Sequence, residues 1–254
     1  MTLLCLENIS VEFTTRDGCV EPLNRIGFDL DDGEILGLVG ETGSGKSVTA
    51  QAIMGLLPFL DGRVSQGRIL FRDVDLLSLS ESEYQQIRGN RISLISQNPM
   101  TSLDPVYRVG NQIVEGLRLH LKISRSDAAK RAKAVMTSLG IANSEKVFSQ
   151  YPHQLSGGLK QRIVIAMGLC ADPELLIADE PTTALDVTVQ AQIIELFKKT
   201  TRDRHVGLIM ITHDLGVIAH LCDKVVVMYA GTVVERGDVA TVFTDLGHPY
   251  TLSL

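Results

Sequence analysis

The chain of 254 residues has no tryptophan, an aromatic content of only 5%, and four cysteines. Cys5, Cys19, Cys170 and Cys222 include no pair with metal-ligand spacing, and four buried or free thiols fit a reducing compartment. No apolar run approaches the ~18–20 residues that a membrane span needs. The longest, around Ile163–Ala171 and Val225–Ala230, have the lengths of core helices or strands. Met1–Glu7 carries neither a basic leader nor a small-residue cleavage site, so a signal peptide is not expected and the protein is expected in the cytosol. A basic excess is also missing: 24 Lys and Arg stand against 30 Asp and Glu, a net charge of −6. That balance argues against a nucleic-acid partner. The local cluster Lys130-Arg131-Ala132-Lys133 reads as a solvated helix face. There is no internal repeat, low-complexity tract or flexible linker, and the composition is that of an ordered globular protein.

What is present begins as β structure. Leu3–Phe13 reads as a strand, Arg16-Asp17-Gly18 as a hairpin turn, and Ile26–Leu30 as a second strand ending in the turn Asp31-Asp32-Gly33. Glu34–Val39 then carries a continuous apolar run after its first residue, as expected of a strand buried on both faces. A glycine-rich loop follows, and after it a helix over Ser47–Leu57 stopped by Pro58. Arg68–Phe71 and Arg91–Ile95 read as strands, with a short helix between them opened by the capping box Ser80-Glu-Ser-Glu83. From Asn98 to Gln154 the pattern turns helical, with helices over Val109–His120 and Ser126–Leu139. Alternation then resumes: helix Leu159–Cys170, strand Leu175–Ala178, helix Val187–Lys199, strand Gly207–Ile211, helix Leu215–His220, strand Lys224–Tyr229. Such alternation predicts a mainly parallel sheet with helices on its faces.

Gly40-Glu-Thr-Gly-Ser-Gly45-Lys46-Ser47 fits the phosphate-loop pattern G-x-x-x-x-G-K-[ST]. Glycines let the backbone close around phosphate oxygens, and successive N–H groups point inward at the start of a helix whose dipole favours anions. Lys46 would supply a point charge to the β- and γ-phosphates, and the Ser47 hydroxyl a ligand for Mg²⁺. Leu175-Leu-Ile-Ala-Asp179-Glu180 is an apolar strand ending in two acids. Such a pair alone is more often a helix cap. Beside a phosphate loop it is suited to metal binding by Asp179 and to activation of water by Glu180. Ser156-Gly157-Gly158, at the start of another helix, makes a second anion-binding nest. Two phosphate-seeking loops in one chain imply a second nucleotide or a site completed by another subunit.

Together these residues resemble the nucleotide-binding subunit of an ABC (ATP-binding cassette) transporter over essentially the whole chain. Leu155-Ser-Gly-Gly-Leu-Lys-Gln-Arg162 is similar to the family's signature loop. Leu159 replaces the commonest Gln there, and apolar residues at that place are usual in the peptide-importer branch. Gln97 matches the Q-loop glutamine, Thr183-Ala-Leu-Asp186 the D-loop, and His213 the switch histidine that bonds the γ-phosphate. Phe13 stands where the family stacks an aromatic on adenine; as a lone residue it is equally a core position. The wording of Gly40-Glu-Thr-Gly, Ser96–Pro105, Ile177–Asp186 and His248-Pro-Tyr-Thr251 is similar to that of the dipeptide, oligopeptide and nickel importer ATPases. Many peptide-importing members carry clustered cysteines beyond that last segment; this sequence has none there, so no iron–sulfur site is expected.

The resemblance implies a P-loop NTPase (RecA-like) α/β core, residues 1–97 and 163–254, with an N-terminal antiparallel β region. A helical subdomain, residues 98–162, includes the signature loop and is hinged at Gln97. ATP would lie against Phe13 and on Gly40, Glu41, Thr42, Gly43, Ser44, Gly45, Lys46, Ser47 and Val48. Mg²⁺ would be held by Ser47, Gln97 and Asp179. The catalytic set would be Glu180, His213 and Gln97. Ser156, Gly157, Gly158 and Asp186 would meet nucleotide across a head-to-tail dimer with a second ABC ATPase subunit, either a homologous chain or a second copy. The implied assembly adds two transmembrane permeases, fed by an extracytoplasmic substrate-binding protein, with this chain peripheral on the cytoplasmic face of the membrane. The helical segment would form the cleft that receives a permease helix. Peptide and nickel (or a metal chelate) both remain open as cargo. The alternatives fit less well: soluble ABC-type ATPases usually carry two cassettes or basic regions, and exporter cassettes are commonly fused to membrane domains. A non-enzymatic regulator would be expected to lose Glu180 or His213.

Overall fold

The computed structural model describes the chain except Asp17, Asn98, Thr183, Ala184, Leu185 and Leu246, together with the side chains of Pro99 and Met100. The expected turn at Asp17 and most of the expected D-loop therefore lie outside the described residues.

Strands β1 (Thr2–Thr15) and β2 (Gly18–Asp31) form a long antiparallel pair. Next come β3 (Ile35–Val39), helix α1 (Lys46–Ile53), β4 (Gly62–Phe71) and the two-residue β5 (Val74–Asp75). Helix α2 (Glu81–Ile87), opened by the expected capping box at Ser80, leads to β6 (Ile92–Ile95). The helical stretch holds α3 (Pro99–Ser102), α4 (Val109–Leu121), α5 (Arg125–Ser138) and α6 (Ser144–Phe148). Then follow α7 (Gly157–Leu169), β7 (Leu175–Asp179), α8 (Val187–Arg204), β8 (Gly207–Ile211) and α9 (Leu215–Leu221). The chain closes with β9 (Lys224–Tyr229), β10 (Thr232–Asp238), α10 (Val239–Thr244) and α11 (Pro249–Ser253).

Two sheets result. One is antiparallel in the order β2-β1-β4-β5; the other runs β10-β9-β3-β8-β7-β6 and is parallel apart from its edge strand β10. The continuous apolar runs have a simple cause, because each inner strand feeds two cores. On β3, Ile35 and Val39 join one core while Leu36 and Leu38 join the other; on β7, Leu176 and Ala178 alternate with Leu175 and Ile177 in the same way. The first core includes the buried faces of α4, α5 and α7, and the second the N-terminal sheet and α1.

Several sequence expectations shift in extent. The helix expected to reach Leu57 ends at Ile53, because Gly55 turns to φ +62° and Leu57–Leu60 continues as a 3₁₀ turn. The strand expected at Ile26–Leu30 is the end of a much longer one, and the expected subdomain boundary at 162/163 falls inside α7. No helix among the described residues is long and apolar enough to cross a membrane.

Candidate active site

Parallel pairing puts the C-terminal ends of β3, β8, β7 and β6 along one edge of the sheet. Gly40, His213, Glu180 and Gln97 each lie one or two residues past those ends, so four separated segments meet there. One cleft is lined by Thr42, Gly43, Gly45, Lys46, Ser47, Val48, Gln97, Glu180 and His213, with Pro22 on its rim.

The loop that opens this cleft depends on its glycines. Gly40 has φ +147°, and a Cβ there would strike the carbonyl oxygen of Met228. Gly43 has φ +84° with nothing within 4 Å, so its cost on substitution is backbone strain alone. Lys46, the first residue of α1, folds its ammonium back into the loop. Its Nζ donates to the Gly40 and Glu41 carbonyls at 2.7 Å each and lies 3.4 Å from Ser44 Oγ. Burial pushes its pKa down, and the charges of Glu180 and Asp179 oppose that shift. The loop thus holds a nearly buried cation among backbone groups, ready for an anion.

Asp179 ends β7. Burial raises its pKa, a hydrogen bond with the Ser47 side chain lowers it, and the Glu180 charge raises it further. Glu180 follows in the left-handed region, φ +47°, with its N–H donating to the Ile211 carbonyl at 2.9 Å. Such a conformation in a non-glycine residue costs roughly 1–3 kcal/mol and persists where the surroundings enforce it. Its carboxylate is engaged on both oxygens: Gln97 Nε2 donates to Oε2 at 3.0 Å, and His213 Nδ1 lies 3.4 Å from Oε1. Asp214 secures the histidine's backbone by capping α9, accepting from Gly216 and Val217 N–H at 2.8 and 3.2 Å. Its other oxygen accepts from Gln190 of α8 at 3.0 Å.

The Ser47 hydroxyl, the Asp179 carboxylate and the Gln97 amide offer hard oxygen donors of the kind Mg²⁺ takes. Among the described residues no group of three or more His, Cys, Asp or Glu could hold a metal alone. An ion here would complete its shell with phosphate oxygens and water, so the donor set fits a nucleotide-bound Mg²⁺.

Other expected site residues lie apart from the cleft. Phe13, half-buried on β1, pairs with Val20 and Gly62, and its ring covers Gly62. Ser156 caps α7, accepting from Leu159 N–H at 3.4 Å, and Gly157 faces open space. Asp186 caps α8, accepting from Val189 N–H at 2.9 Å. Two contributors to the site escaped the sequence reading. Pro22 gave no signal in any pattern. Tyr250, whose hydroxyl accepts from Glu41 N–H at 2.8 Å, belonged to a noticed motif with no assigned role.

A nucleotide-hydrolysing cassette is the class that this fold and loop define, and comparison with known proteins agrees. The family described as ABC transporter matches residues 23–183. The chain is 52% identical over 252 residues to the oligopeptide transport ATP-binding protein OppD of Bacillus subtilis, covering 99% of this chain and 70% of that protein. It is 51% identical to the dipeptide transport ATP-binding protein DppD of the same organism, with 99% of this chain and 75% of that one covered. Among solved structures, cbiO1 from Clostridium perfringens, part of the ABC transporter complex cbiONQ, matches with a TM-score of 0.81 and 28% identity, over 96% of this chain and 92% of that one. The chain belongs to the ABC transporter family. It is an ATP-hydrolysing subunit of a transporter, as the sequence resemblance implied.

Proposed function

We propose that this subunit powers import of di- or oligopeptides, working with a second ATPase subunit, two membrane permeases and an external substrate-binding protein. Glu180 is the observation that carries the catalytic part: an acid beside a phosphate loop, held on both oxygens by Gln97 and His213. Peptide is favoured over nickel because the relatives above are named for oligopeptide and dipeptide transport. The chain sits peripherally on the cytoplasmic face of the membrane, receiving a permease helix at the helical segment that follows Gln97.

ATP places its phosphates on Gly40–Ser47 and its adenine against Phe13. Lys46 turns its ammonium from the loop carbonyls to the β- and γ-phosphates. Ser47, Gln97 and Asp179 hold Mg²⁺, which when bound neutralises phosphate charge. Glu180 orients a water for in-line attack on the γ-phosphorus and accepts its proton as the bond to the β-phosphate oxygen breaks. His213 holds the γ-phosphate, and ADP and phosphate leave. Most of the acceleration comes from positioning and charge stabilisation. Ser156 and Gly157 are exposed, Gly158 is half-buried, and none of the three lines their own loop's cleft, which supports a head-to-tail dimer in which they and Asp186 complete the partner's site.

The test is reconstitution with co-purified permeases in proteoliposomes. ATP hydrolysis that rises with peptide-loaded external protein is the expected result. Stimulation by Ni²⁺ and not by peptides would overturn the cargo, and recovery with only ribosomal or other non-membrane partners would overturn the transport reading.

A further inference from the structure

The segment His248–Thr251 takes no part in the chemistry above, yet it is built against the nucleotide loop. Glu235 of β10 anchors it, accepting from Gly247 N–H at 2.9 Å, His248 N–H at 3.3 Å and the Thr251 hydroxyl. His248 Nδ1 then caps α11 by accepting from Tyr250 N–H at 3.1 Å. The Tyr250 ring leans on Tyr229, centroids 4.5 Å apart. Held in this way, its hydroxyl accepts from Glu41 N–H at 2.8 Å.

Glu41 N–H and the Gly40 carbonyl are two ends of one planar peptide unit. Lys46 Nζ bonds the carbonyl end at 2.7 Å, so Lys46 and Tyr250 grip the same unit from opposite sides. When Lys46 leaves for a phosphate, one grip is released and Tyr250 keeps the other. Without it the peptide at the loop's entrance is free to rotate, and the ordered loop that phosphates need must be regained on binding.

We propose that Tyr250 is a positioning residue for nucleotide binding, and that the His-Pro-Tyr-Thr segment braces the phosphate loop. The inference rests on the reading of Gly40–Ser47 as the ATP loop. Tyr250→Phe removes only the hydroxyl and keeps the ring on Tyr229. In the chain of 254 residues, titrated with ATP and Mg²⁺, it should weaken ATP binding roughly three- to tenfold. The thermal midpoint of the nucleotide-free protein and kcat at saturating ATP should stay as in wild type. Thr251→Val, which loosens the anchor, should move Kd in the same direction, and Tyr229→Phe should leave it unchanged. Wild-type affinity in Tyr250→Phe, or a loss of affinity matched by a lower thermal midpoint, would overturn the proposal while ATP binding by the loop stands. A wild-type chain that fails to bind ATP would overturn both.

Discussion

The side-chain amide of Gln97 donates to Glu180 Oε2 across 3.0 Å, joining the ends of β6 and β7 at the acid proposed to activate water. Glu180→Gln keeps the size of the side chain and removes the base. Hydrolysis should fall by about 100-fold or more while ATP affinity changes little. Single-turnover hydrolysis beside equilibrium nucleotide binding checks this, and turnover near wild type would remove Glu180 from the chemistry.

The two loop glycines should fail differently. Gly40→Ala drives a methyl group into the Met228 carbonyl and should abolish nucleotide binding. Gly43→Ala meets open space at φ +84° and should cost about 1 kcal/mol in stability with binding partly kept. Urea melts paired with ATP titrations separate the two outcomes.

Asp214→Ala removes the cap of α9, a loss of about 1 kcal/mol. It also frees Gln190 and loosens the turn that presents His213, so hydrolysis should fall further than stability explains. The comparison is kcat measured well below the melting temperature, where the fold is intact. Retained kcat in a destabilised protein would reduce Asp214 to a cap.

Asp179 contributes a pH dependence of its own, opposite in sign to that of the carboxylates held low by hydrogen bonds, such as Glu174 and Glu235. Burial raises its native pKa above the ordinary value of 3.8, so across that interval the folded chain binds more protons than the unfolded one. Stability from this group therefore falls as pH rises from the ordinary value through the native one, and then levels. Asp179→Asn should equal or exceed the nucleotide-free wild type in thermal midpoint at neutral pH, with the difference shrinking on acidification. Midpoints measured across that range test it, and a difference that grows in acid would contradict the sign.

The sequence made the chemistry legible and left much of its support hidden. A strand buried on both faces announces itself by an unbroken apolar run, as at Ile35–Val39, and the glycine spacing after it carries its own mechanism. Edge elements have no such mark. In β10, Thr232–Asp238, a half-buried strand reads Thr-Val-Val-Glu-Arg-Gly-Asp, and its polar half hides it. The extra length of β2 was hidden in the same way, since most of Gly18–Asn24 is exposed. Tyr250 reaches Glu41 across 209 positions, a contact that no local periodicity encodes. Burial does not disclose everything either: Cys170, unremarkable in sequence, has its thiol pushed up to about 12, which makes it an inert apolar residue at neutral pH.

Because β3 alternates its side chains between two cores, the root of the phosphate loop is wedged from both sides. Side chains pack against it on both faces, so a shift of the loop's root would disturb two cores at once. Helices α4, α5 and α6 place their buried residues in one core alone, and they join the sheet through the segment that carries Gln97. The helical stretch therefore rests on one face of β3 alone, and the glutamine touching Glu180 sits where that stretch leaves the sheet.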